Sequence, residues 1–174
     1  TMLRTRLTDM LDCEHPVMLA GMGGVAYAAL VAAVSDAGGF DTLDLEGILR
    51  DEYEPLLMAI ADCPIPTIAA VNGAAAGAGA NLALGCDVVI AAESASFVQA
   101  FTRIGLVPDA GGSYWLPRQI GMARAMGAML FADKISARQA ADWGMIYESV
   151  AADGFAAHVQ ARAAHLANGP TIAY

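Results

Sequence analysis

Apolar positions along this chain fall into short clusters that alternate between helical spacing and compact extended runs. Leu3 to Leu11 follows the helical period, and Pro16 to Ala20 is a compact apolar run that predicts a strand. A glycine-rich turn, Gly21-Met22-Gly23-Gly24, comes next. A helix from about Tyr27 to Asp36 then closes on Gly38-Gly39 at the C-cap position. Strand, tight turn and helix in that order predict an α/β chain.

Between Leu45 and Asp62, apolar side chains recur at Leu45, Ile48, Leu49, Leu56, Leu57 and Ile60, with Pro55 inside the pattern. A kink or two short helices fit this spacing. Cys63-Pro64-Ile65-Pro66 stops the helix, and Thr67 to Val71 predicts a buried strand. Asn72-Gly73 is a turn, and small residues from Ala74 to Ala80 lead into a helix over Asn81 to Gly85. A second buried strand follows at Val88 to Ala92. Phe97 opens another extended run, which ends in the loop Gly105 to Gly112. Helices are predicted over Tyr114 to Ile120 and Ala123 to Phe131, separated at Gly121. Ser136 with Gln139 is a capping-box pattern for a helix running to Trp143. Gly144 ends it, Met145 to Val150 suits a short strand, and Asp153 to Ala167 is a last amphipathic helix. There is no internal repeat and no low-complexity linker.

Composition narrows the class. The 174 residues are 57% hydrophobic and only 16% charged, enough for a real core. So little charge implies either surface buried against partner subunits or a membrane setting. Thr67 to Ala92 has no Lys or Arg, but it is built of Ala and Gly and interrupted by Asn72, Asn81 and Asp87. A buried strand, loop and helix explain it better than a membrane span. The net charge of −9 carries no basic stripe, which argues against nucleic-acid binding. Cys13, Cys63 and Cys86 show no metal spacing, so reduced thiols and no metal are expected. The start Thr1-Met2-Leu3-Arg4 runs into an acidic segment rather than an apolar signal core, and cytoplasm is the expected compartment.

Two places hold candidate chemistry. Asn72 to Ala80 is poor in side chains and opens a helix, so a substrate oxygen could approach its unsatisfied N–H groups, as an oxyanion hole requires. Tight helix packing would use the same small residues. Asp109, between Pro108 and the pair Gly111-Gly112, is either a turn residue bonding its own backbone or a desolvated acid that shuttles protons. His15, His158 and His165 are scattered and read as solvated or capping residues. Trp115 and Trp143 read as core.

Three ordered motifs over Ile65 to about Ala167 carry a resemblance. They are Pro64-Ile65-Pro66-Thr67-Ile68-Ala69-Ala70-Val71-Asn72-Gly73, Gly105-Leu106-Val107-Pro108-Asp109-Ala110-Gly111-Gly112-Ser113, and Ile135-Ser136-Ala137-Arg138-Gln139-Ala140 followed by Trp143-Gly144-Met145-Ile146. Together they resemble the crotonase superfamily, the enoyl-CoA hydratases and isomerases. The resemblance implies a ββα spiral that binds an acyl-CoA thioester and stabilises its enolate. Coenzyme A then enters as part of the substrate, with no separate cofactor. It places Ala78 at an oxyanion N–H donor, flanked by Gly77 and Gly79, and lets Asn81, Phe101 and Gly111 contact substrate. The two glutamates that activate water in hydratases correspond to Asn81 and Phe101, neither of which is a base. Asp109 falls where isomerase members keep an acid. With Phe101 and the run Ala123-Arg124-Ala125-Met126-Gly127, it looks most like the branch that rearranges 1,2-epoxyphenylacetyl-CoA in phenylacetate degradation. Phe101 would then form an apolar wall for an aromatic acyl group.

The N-terminal part departs from the pattern. The family's GFxAGxDL segment, which supplies the other oxyanion donor, has only a superficial echo in Gly39-Phe40-Asp41-Thr42-Leu43-Asp44-Leu45. Losing one such donor typically costs about 10²–10³ in turnover. Residues 14–40 instead look like the start of a nitronate monooxygenase, a flavin-dependent barrel, but lack the segments that would hold the flavin phosphate. The expected organisation is therefore an atypical segment 1–43 and a crotonase-like core 44–174, a spiral truncated at both ends, from a natural fusion, an engineered chimera, a misassembled reading frame or a fragment. A homo-oligomer, trimer-based if the family assembly is kept, is the expected state. Rival readings are a non-catalytic remnant or assembly module and, more weakly, a flavin oxidoreductase.

Overall fold

Thr67 to Val71 has no polar side chain beyond its first threonine, so its strand needs cover on both faces. In the computed structural model, which describes residues 17–19, 45–170 and 173, it finds that cover at the centre of a parallel sheet. Strand β1 (Val17–Leu19) pairs with β2 (Ile68–Val71), in register Val17 to Ile68 and Leu19 to Ala70. The chain then forms the short strand β3 (Ala74–Ala76) before β4 (Val88–Ala92), which lies on the other side of β2 with Ile68 opposite Val88. Three more strands follow, β5 (Ser96–Val98), β6 (Ile135–Ser136) and β7 (Glu148–Val150), the last pairing with β4. The main sheet thus runs β1-β2-β4-β7, all parallel. A second, three-stranded sheet runs β3-β5-β6.

Alternate residues of β2 and β4 face opposite cores, as the two-residue strand period requires. Ala69, Val71, Val89 and Ala91 join a large core with Leu82, Leu84, Leu116 and Ile120. Ile68, Ala70, Ile90 and Ala92 meet Phe155 and Val159 on the other side. Thr67 and Asp87 tie the starts of the two strands together. Asp87 Oδ2 accepts from Thr67 N–H and Oγ1–H at 2.7 Å each, and Asp87 N–H donates to Thr67 Oγ1 at 3.0 Å.

Helices cover these sheets. The α1 turn (Leu45–Ile48) passes through a π-helical stretch, Leu49–Tyr53, into α2 (Glu54–Ala61). Pro55 sits in the first turn of α2, where its missing N–H costs nothing. The predicted interruption is therefore two helices joined by a π turn. Helix α3 (Ala78–Leu84) starts three residues earlier than its apolar pattern indicates. Helix α4 (Gly112–Phe131) is two helices meeting at Gly121, whose φ of 75° and ψ of 159° are not helical, as expected. Helix α5 (Ala137–Asp142) has the predicted cap: Ser136 Oγ accepts from Gln139 N–H at 3.2 Å. Helix α6 (Phe155–Ala167) closes the described chain.

Trp115 and Trp143 pack half-buried against the large core. His158 is partly exposed and tied to Glu148 at 2.7 Å, and His165 is exposed in the last turn of α6. The expectations for residues 1–16 and 20–44, including the helices at Leu3 and Tyr27, the glycine turn, Cys13, His15 and the Gly39 echo, lie outside the described residues. Among the described residues, no helix is long and apolar enough to cross a membrane, and no group of His, Cys, Asp and Glu could hold a metal ion.

Candidate active site

The turn that opens α3 is built from glycine conformation. Gly77, with φ of 53° and ψ of −125°, adopts a backbone that a side chain would strain. Its N–H donates to the Val98 carbonyl at 2.8 Å, and its carbonyl takes the helix's first bond, from Asn81 N–H at 3.2 Å. The N–H groups of Ala78, Gly79 and Ala80 therefore precede the helical ladder, at the positive end of its dipole. Ala78 is half-buried, Gly79 and Ala80 fully buried. Phe101 lies behind this turn: its ring edge is 3.5 Å from where a Gly77 side chain would begin.

Asp109 lies on a second tight turn. Its carbonyl accepts from Gly112 N–H at 2.9 Å, and the two central residues, Ala110 (φ 46°) and Gly111 (φ 77°), are both left-handed. Gly111 suits that conformation; Ala110 holds it at a cost of about 1 kcal/mol. The turn is joined to α3 by Asn81, whose Nδ2 donates to the Asp109 carbonyl at 2.9 Å. Asn81 lies one helical turn beyond Ala78, about 5 Å along the axis.

Asp109 lines an open cleft of about 540 Å³ together with Ala110 and with Leu49, Arg50, Tyr53 and Leu57 from the π turn and α2. Its Oδ1 is buried and has no hydrogen-bond partner. Burial therefore pushes its pKa up from 3.8 to about 6, against an opposing hydrogen bond from its own main-chain N–H. Glu46 and Glu54 also reach this cleft, but both are exposed. Asp109 is the one described carboxyl there that is desolvated.

The sequence-predicted site residues thus take different places. Asp109 reaches the cleft. Gly77, Ala78 and Gly79 form the N-terminal turn of the helix that Asp109's loop packs against. Phe101 and Asn81 are buried, and neither they nor Gly77, Ala78, Gly79 and Gly111 are among the residues lining this cleft; Phe101 backs the Gly77 turn. Asn81 is tied to the Asp109 loop and to Gln99, which fixes it inside the protein rather than in the cleft. Gly111 provides the left-handed step beneath Trp115: a side chain there would meet the indole nitrogen at 2.7 Å. Gln99 and Tyr53 escaped the sequence reading, and Leu49 was read only as part of an apolar helical pattern, because an isolated amide and a π turn carry no signal of a site.

Residues 10–174 match the model of the enoyl-CoA hydratase/isomerase family. The chain belongs to that family. A probable enoyl-CoA hydratase of Rhodobacter capsulatus is 66% identical over 137 residues, covering 79% of this chain and 53% of that protein. The 1,2-epoxyphenylacetyl-CoA isomerase of Escherichia coli is 55% identical over 120 residues, 69% of this chain and 46% of that one. The structure of a putative enoyl-CoA hydratase from Thermobifida fusca in complex with acetoacetyl-CoA superimposes with a TM-score of 0.69 at 32% identity, covering 86% of this chain and 54% of the other. The two sheets and their helices are accordingly the crotonase fold. This chain spans about half the length of the relatives it matches. The family match also takes in residues 14–40, the stretch expected to follow a nitronate monooxygenase instead.

Proposed function

We propose that this crotonase-family chain acts as an acyl-CoA isomerase, with Asp109 as its proton shuttle and the Ala78 N–H as an oxyanion donor. The observation that carries the reading is Asp109, a residue that lines the cleft and whose carboxyl is desolvated and unpartnered at Oδ1. A pKa of about 6 leaves it roughly nine-tenths ionised at neutral pH, yet basic enough to take a proton. The acetoacetyl-CoA complex of the Thermobifida relative supports a CoA thioester as the ligand class.

The chemistry balances with one carboxylate. Asp109 removes a proton from C2 of a 3-enoyl thioester, and the electron pair moves into the carbonyl to give a dienolate. The N–H groups at the start of α3 stabilise the oxygen's charge, a contribution of about 3–4 kcal/mol per donor in comparable sites. Asp109 then returns the proton to C4, and the double bond settles between C2 and C3. The identity to the E. coli epoxide isomerase supports extension to an aromatic epoxyacyl-CoA. Asn81 and Phe101, at the positions where hydratases of the family carry glutamates, leave no base there to activate water.

Hydration is the competing reading, since the Rhodobacter relative is described as a probable hydratase and Glu54 shares the cleft with Asp109. Chromatographic separation of the products from 3-enoyl-CoA and 2-enoyl-CoA, with mass analysis of each peak, separates the readings. Isomerisation moves the double bond without changing mass, and hydration adds one water. No conversion of either, or of epoxyphenylacetyl-CoA, would mark a non-catalytic member of the fold.

Self-association belongs to the same proposal. Met122, Met126 and Leu130 recur every fourth residue on the second half of α4 and are 63%, 42% and 58% exposed. Such a stripe favours a homo-oligomer. Sedimentation at several concentrations tests it: a monomer throughout would remove this part.

A further inference from the structure

Asn81 occupies the centre of α3 and is completely buried. Its carboxamide faces two partners. Nδ2 donates to the main-chain carbonyl of Asp109 at 2.9 Å, and Oδ1 accepts from Gln99 Nε2 at 2.7 Å. A carbonyl can only accept, so the Asp109 end fixes which way the Asn81 amide points. That orientation in turn obliges Gln99, itself buried, to present its nitrogen, leaving Gln99 Oε1 without a partner. Turning the Asn81 amide over would set oxygen against oxygen at one end and nitrogen against nitrogen at the other. The geometry admits one arrangement.

The loop on which this amide acts is closed by one bond of its own, from Gly112 N–H to the Asp109 carbonyl at 2.9 Å, but its backbone is held in a costly conformation. Ala110 and Gly111 are both left-handed, and Ala110 has no intrinsic preference for that region. Gly112, the next residue, is flush with Asn81: a Cβ built there would overlap the carboxamide, lying 2.7 Å from Cγ. The close approach of Gly112 and the bond to Asp109 O therefore dock the turn onto the middle of α3. The same helix presents the Ala78 N–H one turn earlier.

We infer that Asn81 is a positioning residue, its carboxamide holding the Asp109 turn against α3 so that the carboxyl keeps a fixed place relative to the first turn of that helix. Asn81 meets no reacting atom in this scheme. It acts through the Asp109 backbone, with Gln99 orienting its amide. The kinetic consequence rests on the reading of Asp109 as the proton shuttle; the structural consequence does not. A displacement of about 1 Å at a reacting group can cost about 10²-fold in rate.

The test uses Asn81→Ala and, as a milder change that leaves the α3 side chain in place, Gln99→Met. Two readouts are needed: turnover of a 3-enoyl-CoA across pH, and the ionisation of Asp109 followed by carbon NMR of the carboxyl-labelled full chain without substrate. Freeing the turn lets water reach the carboxyl, so its titration moves to lower pH, by about one unit for Asn81→Ala and less for Gln99→Met. In the same variants kcat falls about 10²-fold with little change in KM, and the acid limb of the rate profile follows the NMR shift. A purely structural asparagine would lower the melting temperature and leave both the titration and the acid limb in place, which would overturn the inference. If Asn81→Ala does not fold, an unshifted titration in Gln99→Met overturns it equally. Asp109→Asn separates the two claims. Full turnover in that variant removes the shuttle, whatever the NMR shows. An inactive Asp109→Asn beside Asn81 and Gln99 variants that titrate like the parent removes only the positioning role.

Discussion

Gly112 lies so close to the Asn81 carboxamide that no side chain fits between them. A methyl group at that position must displace a fully buried amide, and with it the turn that carries Asp109. Gly112→Ala is expected to destabilise the fold by about 1–3 kcal/mol, the usual cost of overpacking, and to lower kcat as well. Urea denaturation together with turnover measures both. Gly121→Ala is the useful contrast in the same helix, because there the cost comes from φ of 75° in open space and reaches no site residue.

Thr67 and Asp87 bind each other reciprocally at the start of the two central strands. Thr67 is buried, so replacing its hydroxyl by a methyl in Thr67→Val leaves the Asp87 N–H without its acceptor. The expected loss is about 1–2 kcal/mol of stability with KM unchanged, since neither residue lies on the cleft. Denaturant titration beside steady-state kinetics checks this.

The raised pKa of Asp109 links function and stability to pH with opposite signs. Turnover requires the carboxylate, so it should fall as pH drops below about 6. For stability, the folded chain keeps a proton on Asp109 that the unfolded chain releases near its ordinary value of 3.8. The neutral form's advantage is complete below about pH 4 and lost as pH rises through about 6. The half-buried carboxyl is partly screened by solvent, so the swing is about 1 kcal/mol. Asp109→Asn should match the parent in stability at pH 4 and exceed it by about that amount at pH 7. Equal stabilities at both pH values would count against a desolvated carboxyl.

Cys86 and Cys63 are both free thiols, but Cys86 is buried and Cys63 only half-buried. Burial pushes the Cys86 thiol up to about 12, aided by the nearby Asp87 charge, against a hydrogen bond from Thr67. The protonated thiol is a poor nucleophile. At pH 8 a thiol reagent should label half-exposed Cys63 and leave Cys86 untouched until denaturant is added. Peptide mapping of the modified protein reads this directly.

The central strands were legible because continuous apolar runs, Thr67 to Val71 and Val88 to Ala92, have no other stable use than a strand covered on both faces. Gly121 and the Ser136–Gln139 cap were equally plain, since each carries its own local chemistry. Ala74–Ala76 was not. Three alanines have no preference for extended backbone, and β3 exists because β5 pairs with it. The same small residues hid the true start of α3, where the decisive feature is the Gly77 backbone rather than any apolar period. The site divided in the same way. Asp109 could be named from its turn, but its desolvation could not. Asn81 is 28 residues from its partner at Asp109 and 18 from Gln99, and pairings at that distance leave no spacing to read.

The central claim is that one carboxyl moves the proton. Its most direct measurement is the turnover of a 3-enoyl-CoA by Asp109→Asn beside the parent protein, with matched melting curves to show that both are folded. A proton shuttle predicts a fall of about 10²–10⁴-fold in kcat with the thioester still bound. Turnover within a few-fold of the parent would contradict it.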